Sequence, residues 1–370
     1  MMKIKTITCH DVYNYGASLQ AFALQNYLEK QGHDVQIIDY KPDYMRNHYK
    51  FWYVPSSSRY YARAMKNPVI RFMLCCYFAP NRFSTYGRKL KFDAFNKEYL
   101  HLTRRYLSYT ELKECPPDAD IYIAGSDQIW NSILPNGRDA AYFLQFGSEK
   151  TKRISYAASF AIPEIPEQMK SLNRAWLRKF DAISVREHTG LKILESLGIC
   201  TGFEVLDPVY LLSAKDWIKV AGEKPIIQKP YILVYDLCLN DERLRTESEK
   251  LSKKMGLQIV SVDAHVKCPY ADKNISNAGP QEFVNMITYA SYVITNSFHA
   301  TSFSIILNRP FAVFYKYKNI SRMADVLSHL NLSHCLNANH PNYQFNWDVI
   351  NNLLDVMTKN SIYYLSENLK

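Results

Sequence analysis

Within about its first forty residues the chain reads strand, helix, strand, and two strands joined through a helix lie parallel in one sheet. Residues 3–9 alternate the β-branched side chains of Ile4, Thr6 and Thr8. A polar turn leads to residues 17–31, where Leu19, Phe22, Ala23, Tyr27 and Leu28 recur at helical spacing. Gly32 stops that helix, and residues 35–40 form the second strand. Further strands are predicted at 120–124, 153–158, 182–185, 231–235, 258–262, 292–295 and 311–314. Helices are predicted at 241–255, 280–289 and 299–307, and an amphipathic helix from Asn346 onward. No fixed period runs through the chain, which excludes solenoids and propellers.

For 370 residues this pattern predicts an α/β fold of two Rossmann-like domains facing across a cleft. The expected divisions are 1–185, 186–345 and a closing helix at 346–370. A hydrophobic fraction of 47% is enough for two cores and excludes general disorder. Asp11, Asn14 and Gly16 interrupt the start of the chain where a secretory leader needs an apolar run, and no stretch reaches the length of a membrane span. The eight cysteines form no CxxC pair and no zinc-like spacing, as in a reducing compartment, so a cytoplasmic protein without a metal is expected.

The charge of +10 is concentrated in one place. Between Tyr44 and Tyr109 stand thirteen Lys and Arg against Asp93 and Glu98, among many aromatics including Tyr49, Phe51, Trp52 and Tyr53. Residues 44–110 therefore read as a basic, aromatic, helical insertion in the first domain. No nucleic-acid module is visible in it, and nucleic acid is not an expected partner. A solvated face accounts for it as well as a patch for an anionic membrane, where Lys and Arg meet lipid and Tyr and Trp suit the interface. Arg88, Lys89 and Lys91 are the expected contacts of such a patch.

In open parallel sheets ligands bind beyond the carboxyl ends of the strands. Four loops there are rich in polar groups. In the first, Asn14 to Gln20, Gly16 permits close backbone approach and the helix start offers N–H groups to an anion, although an ordinary turn capped by Asn14 fits too. In the second, Ser126 and Asp127 suit either a helix cap or a sugar site, with Trp130 stacking on a sugar ring and Asn131 bonding hydroxyls. In the third, Arg186 ends a buried strand, and its charge needs a ligand's phosphate or carboxylate or else Glu187 or Asp207. In the fourth, Asn296, Ser297, His299, Ala300, Thr301 and Ser302 gather hydroxyls and N–H groups at the positive end of a helix, with an imidazole able to bond phosphate or transfer a proton.

The segments NYGASLQAFAL, GSDQIWN, SYAASF, ISVRE, VLDP and GPQEFVNMITYASYVITNSFHATSFSIILNRPF follow one another in this order. Together they resemble the polysaccharide pyruvyl transferase family over about residues 5–40 and 118–335, and the insertion matches nothing in it. The resemblance implies a GT-B-like pair of domains, phosphoenolpyruvate as donor without a further cofactor, and a cyclic pyruvate ketal on a sugar of a surface polysaccharide, capsule or exopolysaccharide. The acceptor side would be the N-terminal domain, with Asn14, Tyr15, Gly16, Gln20, Ser126, Asp127, Trp130 and Asn131. The donor side would be the C-terminal domain, with Arg186, Asn296, Ser297, His299, Ala300, Thr301 and Ser302. The resemblance implies that Arg186 and His299 hold the donor and assist transfer, His299 as the acid or as the partner of the leaving phosphate, and that Asp127 or Glu187 accepts hydroxyl protons. Ala300 stands where members of the family often have Gly. A lipid-linked oligosaccharide as acceptor would bring the protein to the inner face of the plasma membrane. A nucleotide-sugar glycosyltransferase of the same architecture and a non-catalytic scaffold of an assembly complex are the rival readings.

Overall fold

The structure is a computed structural model and describes residues 1–45, 54, 59–237, 241–262, 267–315, 321–337 and 344–370. Its first sheet is built from β1 (Lys3–Ile7), β2 (Asp34–Tyr40), β3 (Leu102–Tyr106), β4 (Ile121–Ala124) and β5 (Lys152–Ser155), in the order β3-β2-β1-β4-β5. A parallel pair, β6 (Ile183–Val185) and β7 (Gly202–Glu204), continues it through bridges from Ile154 to Ala182 and from Ala158 to Val185. The second sheet has the order β10-β9-β8-β11-β12, from β8 (Tyr231–Tyr235), β9 (Gln258–Val262), β10 (Lys273–Ile275), β11 (Tyr292–Thr295) and β12 (Phe311–Val313). The named strands pair in parallel throughout. β4, β8 and β11 are buried along their whole length, as central strands covered on both faces must be.

The helices are α1 (Tyr15–Lys30), α2 (Tyr61–Lys66), α3 (Pro68–Tyr99), α4 (Tyr109–Glu114), α5 (Glu167–Leu177) and α6 (His188–Ser196). They continue with α7 (Ala214–Ala221), α8 (Glu242–Met255), α9 (Pro280–Thr288), α10 (Phe298–Ile306), α11 (Ser321–His329) and α12 (Trp347–Asn368). Local chemistry sets many of their ends. Asn14 caps α1, Ser213 and Asp216 form a capping box on α7, and α8 runs from Asp241 to a left-handed Gly256. The helix expected from Asn346 onward is α12.

One apolar core ties the two halves together. Tyr15 of α1 stacks on Phe283 of α9 with ring centroids 4.4 Å apart, and Phe22 meets Trp217 of α7 edge-on. Lys30 of α1 pairs with Asp216 at 2.8 Å across the same junction. The end of α12 returns to the first sheet, where the Tyr364 hydroxyl donates to the Ser155 carbonyl at 2.9 Å.

The basic segment is helical, in α2 and α3, but it is not wholly an insertion. Its end is β3, which pairs with β2 as the edge of the first sheet. The C-terminal part of α3 belongs to the common core through Phe92 and Phe95. Tyr49, Phe51, Trp52 and Tyr53 lie outside the described residues. The first sheet's run of units extends through β7, so a division at 185 falls between β6 and the helix that leads to its partner.

Candidate active site

The carboxyl ends of the two sheets face each other across a cleft of about 200 Å3. Asn14, Asp127 and Gln128 line it from the first domain and Asn296, Ser297, Phe298 and His299 from the second, with Leu237, Tyr315 and Met323 around them. The starts of α1 and α10 meet there. An added Cβ on Gly16 would lie 2.0 Å from Nδ1 of His299, so the imidazole rests directly on the α1 backbone. Only glycine allows that approach.

Behind His299 lies a chain of charges. Nε2 of His299 stands 3.7 Å from Oδ2 of Asp207, beyond hydrogen-bond length. The same oxygen is 2.6 Å from Nη1 of Arg186, and Nη2 of Arg186 is 3.6 Å from Oδ1 of Asp127. Burial alone would raise the Asp207 carboxyl, but His299 and Arg186 outweigh it and hold the group well below the ordinary carboxylate range. Arg186 is likewise opposed by burial and held above its ordinary value by Asp207, Asp127 and Glu187. Its guanidinium lies 4.7 Å from the ring centre of Phe298.

The four loops do converge, but many of their residues support the site rather than face it. Gln20 accepts the Ser126 N–H at 3.1 Å and donates to the Thr8 hydroxyl at 2.9 Å, locking the first two loops together out of solvent. The Ser126 hydroxyl lies 2.8 Å from the Ala157 carbonyl and 3.2 Å from Asp207. Tyr15 is a core residue whose hydroxyl donates to Ala278 O at 3.1 Å. Asp127, which with Gln128 reaches the cleft from the second loop, has a left-handed φ of 68°, a conformation Asp tolerates better than most. Gly125, just before it, has a φ of 138°, and a Cβ there would meet Tyr156 O at 2.0 Å.

Four expectations are corrected. Trp130 does not offer a face to a sugar: it is fully buried, stacked on Phe143, with its N–H donated to Tyr142 O at 3.0 Å. Asn131 is likewise turned inward, its amide bonded to Gln128 and its oxygen to the Ile133 N–H. Arg186, expected at the donor or paired within the protein, is 1% exposed and has its charge met by Asp207 and Asp127. Glu187 is a buried acceptor for the Ser159 hydroxyl and the N–H groups of Phe160 and Ala161, which leaves it out of reach of a substrate proton.

In the fourth loop, Ser297 caps α10 by accepting the Ala300 N–H. Asn296 bonds Asp236 at 2.6 Å and the Leu237 N–H at 2.7 Å, fixing the loop after β8 to the loop after β11. Ala300, Thr301 and Ser302 are buried, and the two hydroxyls bond back to Ser297 O and Phe298 O inside the helix. Asp207 is visible in the motif VLDP only as a possible partner of Arg186, Gln128 and Phe298 lie in the second and fourth loops without being singled out, and Tyr315 and Met323 carry no sequence signal. Among the described residues no three His, Cys, Asp or Glu side chains gather as a metal site.

Residues 14–316 match the model of a family described as polysaccharide pyruvyl transferase. No curated protein matches the chain. The UDP-GlcNAc 2-epimerase from Neisseria meningitidis bound to UDP-GlcNAc is 10% identical, with 100% of this chain and 99% of that one covered and a TM-score of 0.53. A putative UDP-N-acetylglucosamine 2-epimerase from Listeria monocytogenes is 10% identical, with 97% and 90% covered and a TM-score of 0.52. These likenesses establish the GT-B fold, two Rossmann-like domains about a cleft, and nothing of the chemistry.

Proposed function

Since the chain belongs to the polysaccharide pyruvyl transferase family, we propose that it transfers pyruvate from phosphoenolpyruvate to two hydroxyls of one sugar in a surface polysaccharide repeat unit, forming a cyclic ketal. The observation that carries this reading is His299, backed by Asp207 and set where the starts of two helices meet. Helix starts attract phosphate and carboxylate through their N–H groups and dipole, and phosphoenolpyruvate has both anions.

In this reading His299 gives a proton to C3 of the enol phosphate, which makes C2 electrophilic. One sugar hydroxyl adds to C2 and the C2–O bond to phosphate breaks. The second hydroxyl then closes the ring. Of the two hydroxyl protons, one ends in the new methyl group by way of the acid and the other leaves on phosphate, so the step balances as diol plus phosphoenolpyruvate to ketal plus hydrogen phosphate. Asp127 is the carboxylate in the cleft suited to accept the hydroxyl proton. Asp207 holds the imidazole, and Arg186 holds Asp207. The acceptor, a lipid-linked oligosaccharide in this reading, is held by the first-domain side of the cleft.

Thermal unfolding tests the donor without knowledge of the acceptor. Phosphoenolpyruvate at about 100 times its dissociation constant stabilises the native state by about 2.7 kcal/mol, and His299→Ala should abolish most of the shift. A shift with nucleotide sugars and none with phosphoenolpyruvate would overturn the proposed donor and leave the fold intact.

A further inference from the structure

From Tyr44 to Phe92 the chain has ten Lys and Arg and no Asp or Glu. In α3, Val69, Phe72, Met73, Cys76 and Tyr77 repeat at the i, i+3, i+4, i+7, i+8 spacing that on most surface helices marks the buried face. Here that face points outward. Val69 and Met73 are each 64% exposed, Tyr77 is 76% exposed, and Met65 of the neighbouring α2 is 46% exposed. The segment already has an inside: Val54, Ala64 and Cys75 form a small cluster on which Ile70 and Leu74 pack. Val69 and Met73 take no part in that cluster, and Arg59, Arg63 and Lys66 in and just before α2 are exposed.

The expected contacts Arg88, Lys89 and Lys91 are not part of this surface. Arg88 is buried against the rings of Tyr15 and Phe92, Lys89 pairs with Asp93, and Lys91 pairs with Glu282 at 2.6 Å. The basic apolar face lies further out. α3 leads into β3, which runs parallel to β2, so the helix starts beyond the carboxyl edge of the first sheet. At 1.5 Å per residue, Met73 stands about 28 Å along the helix from Phe92, on the side where the cleft opens.

We propose that the face formed by α2 and the first turns of α3 seats the protein on an anionic lipid surface, with Val69 and Met73 entering the interface and Arg59, Arg63 and Lys66 on the headgroups. Apolar side chains among positive charges, with no acid in the segment, complement acidic phospholipid better than the alternatives. Nucleic acid would call for stacked rings in a groove, not Val and Met. A two-fold contact with a second copy would set the basic residues against themselves. Among the described residues no helix is long and apolar enough to cross a membrane, so the contact is one that lies on the surface. The proposal stands apart from the choice of donor in the cleft.

Flotation of the full chain with vesicles tests it. Binding is expected with mixed phosphatidylglycerol and phosphatidylcholine, weakening with salt, and little with phosphatidylcholine alone. Each basic residue is expected to contribute about fivefold to partition, so Arg63→Glu with Lys66→Glu should lower it by at least about 25-fold. Met73→Asp should weaken binding with unchanged thermal unfolding, since its side chain is mostly exposed. The charge-reversal pair serves if Met73→Asp does not fold. No flotation of the wild type, equal flotation of all variants, or a lipid-free dimer lost in Met73→Asp would each overturn the proposal.

Discussion

Gly16→Ala tests whether the two domains meet as described. The added Cβ would sit 2.0, 2.3 and 2.4 Å from Nδ1, Cγ and Cε1 of His299. An ordinary contact needs about 3.5 Å, so the ring must move by about 1.5 Å. It has little room, with Asp207 on Nε2 and the Phe298 ring edge-on at 5.3 Å. Overpacking of this kind costs about 1–3 kcal/mol, while alanine in place of glycine in a helix returns up to about 1 kcal/mol. Net stability therefore changes little, and the displaced imidazole is the main effect. A shift of about 1 Å in a reacting group can cost about 100-fold in rate, and donor binding should weaken with it.

A double-mutant cycle separates this clash from any other effect of the methyl group. All three atoms that the new Cβ would meet are absent in His299→Ala. In that background Gly16→Ala should be neutral or stabilising by up to about 1 kcal/mol, giving a coupling of about 1–3 kcal/mol in urea unfolding. The phosphoenolpyruvate-dependent rise in unfolding midpoint should be lost in Gly16→Ala alone. Additive single changes, within about 0.5 kcal/mol, together with a wild-type ligand shift in Gly16→Ala, would refute the contact between His299 and the start of α1.

Three further outcomes follow from other parts of the molecule. Asp207→Asn leaves the buried Arg186 with only the longer contact to Asp127 and should cost about 3 kcal/mol in urea unfolding, against about 1 kcal/mol or less for Asp127→Asn. A loss no larger than that of Asp127→Asn would contradict the central place of Asp207. Asp216 is raised by burial but brought down to about 2 by Lys30 and Ser213, so its stabilisation is present above the ordinary carboxylate value and is lost as pH falls. Asp216→Asn should therefore cost about 1 kcal/mol at pH 7, with the gap to wild type steady down to about pH 4 and closing below it. Trp130→Ala should lower stability by about 3–5 kcal/mol and leave the phosphoenolpyruvate shift in place; normal stability with impaired acceptor use would return the indole to a sugar site.

The parts of the fold that were legible in the sequence are those whose environment is uniform. β8, β9 and β11 were read to the residue, because a strand covered on both faces must be a short apolar run. The strands that escaped notice are β3, β7 and β10, and all three are edges. Leu102–Tyr106 contains two adjacent arginines, and Lys273–Ile275 is short and half polar, as edges must be to resist pairing with another chain. Such a strand is specified by the neighbour it pairs with, and that neighbour is distant in sequence.

The site divides along a similar line. Its loops could be located, because glycine, short polar residues and helix starts follow strands in a recognisable way. The direction of each side chain could not. Arg186 was expected to need an anion, from a ligand or from Glu187 or Asp207, and the structure pairs it with Asp207. Trp130 stands two residues from Gln128, which lines the cleft, yet its indole turns into the core. Thr301 and Ser302 have the hydroxyls of a phosphate cradle, but one turn into a helix they bond back to its carbonyls.

The charges behind the cleft narrow what can hold an anionic donor. Arg186 is opposed by Asp207 at 2.6 Å and by Asp127 at 3.6 Å, so these three groups together carry one negative charge and repel phosphate. Attraction must come from groups in front of them, and the cleft offers His299 and the starts of α1 and α10. α1 follows the first strand of one domain, and α10 follows a central strand of the other. Neither helix start alone surrounds the place where the imidazole sits. On the proposed reading, a donor pocket made this way requires both sheets to be folded and α1 and α9 joined through Tyr15 and Phe283. On that reading the stacked rings of the junction matter to donor binding as the polar residues of the loops do.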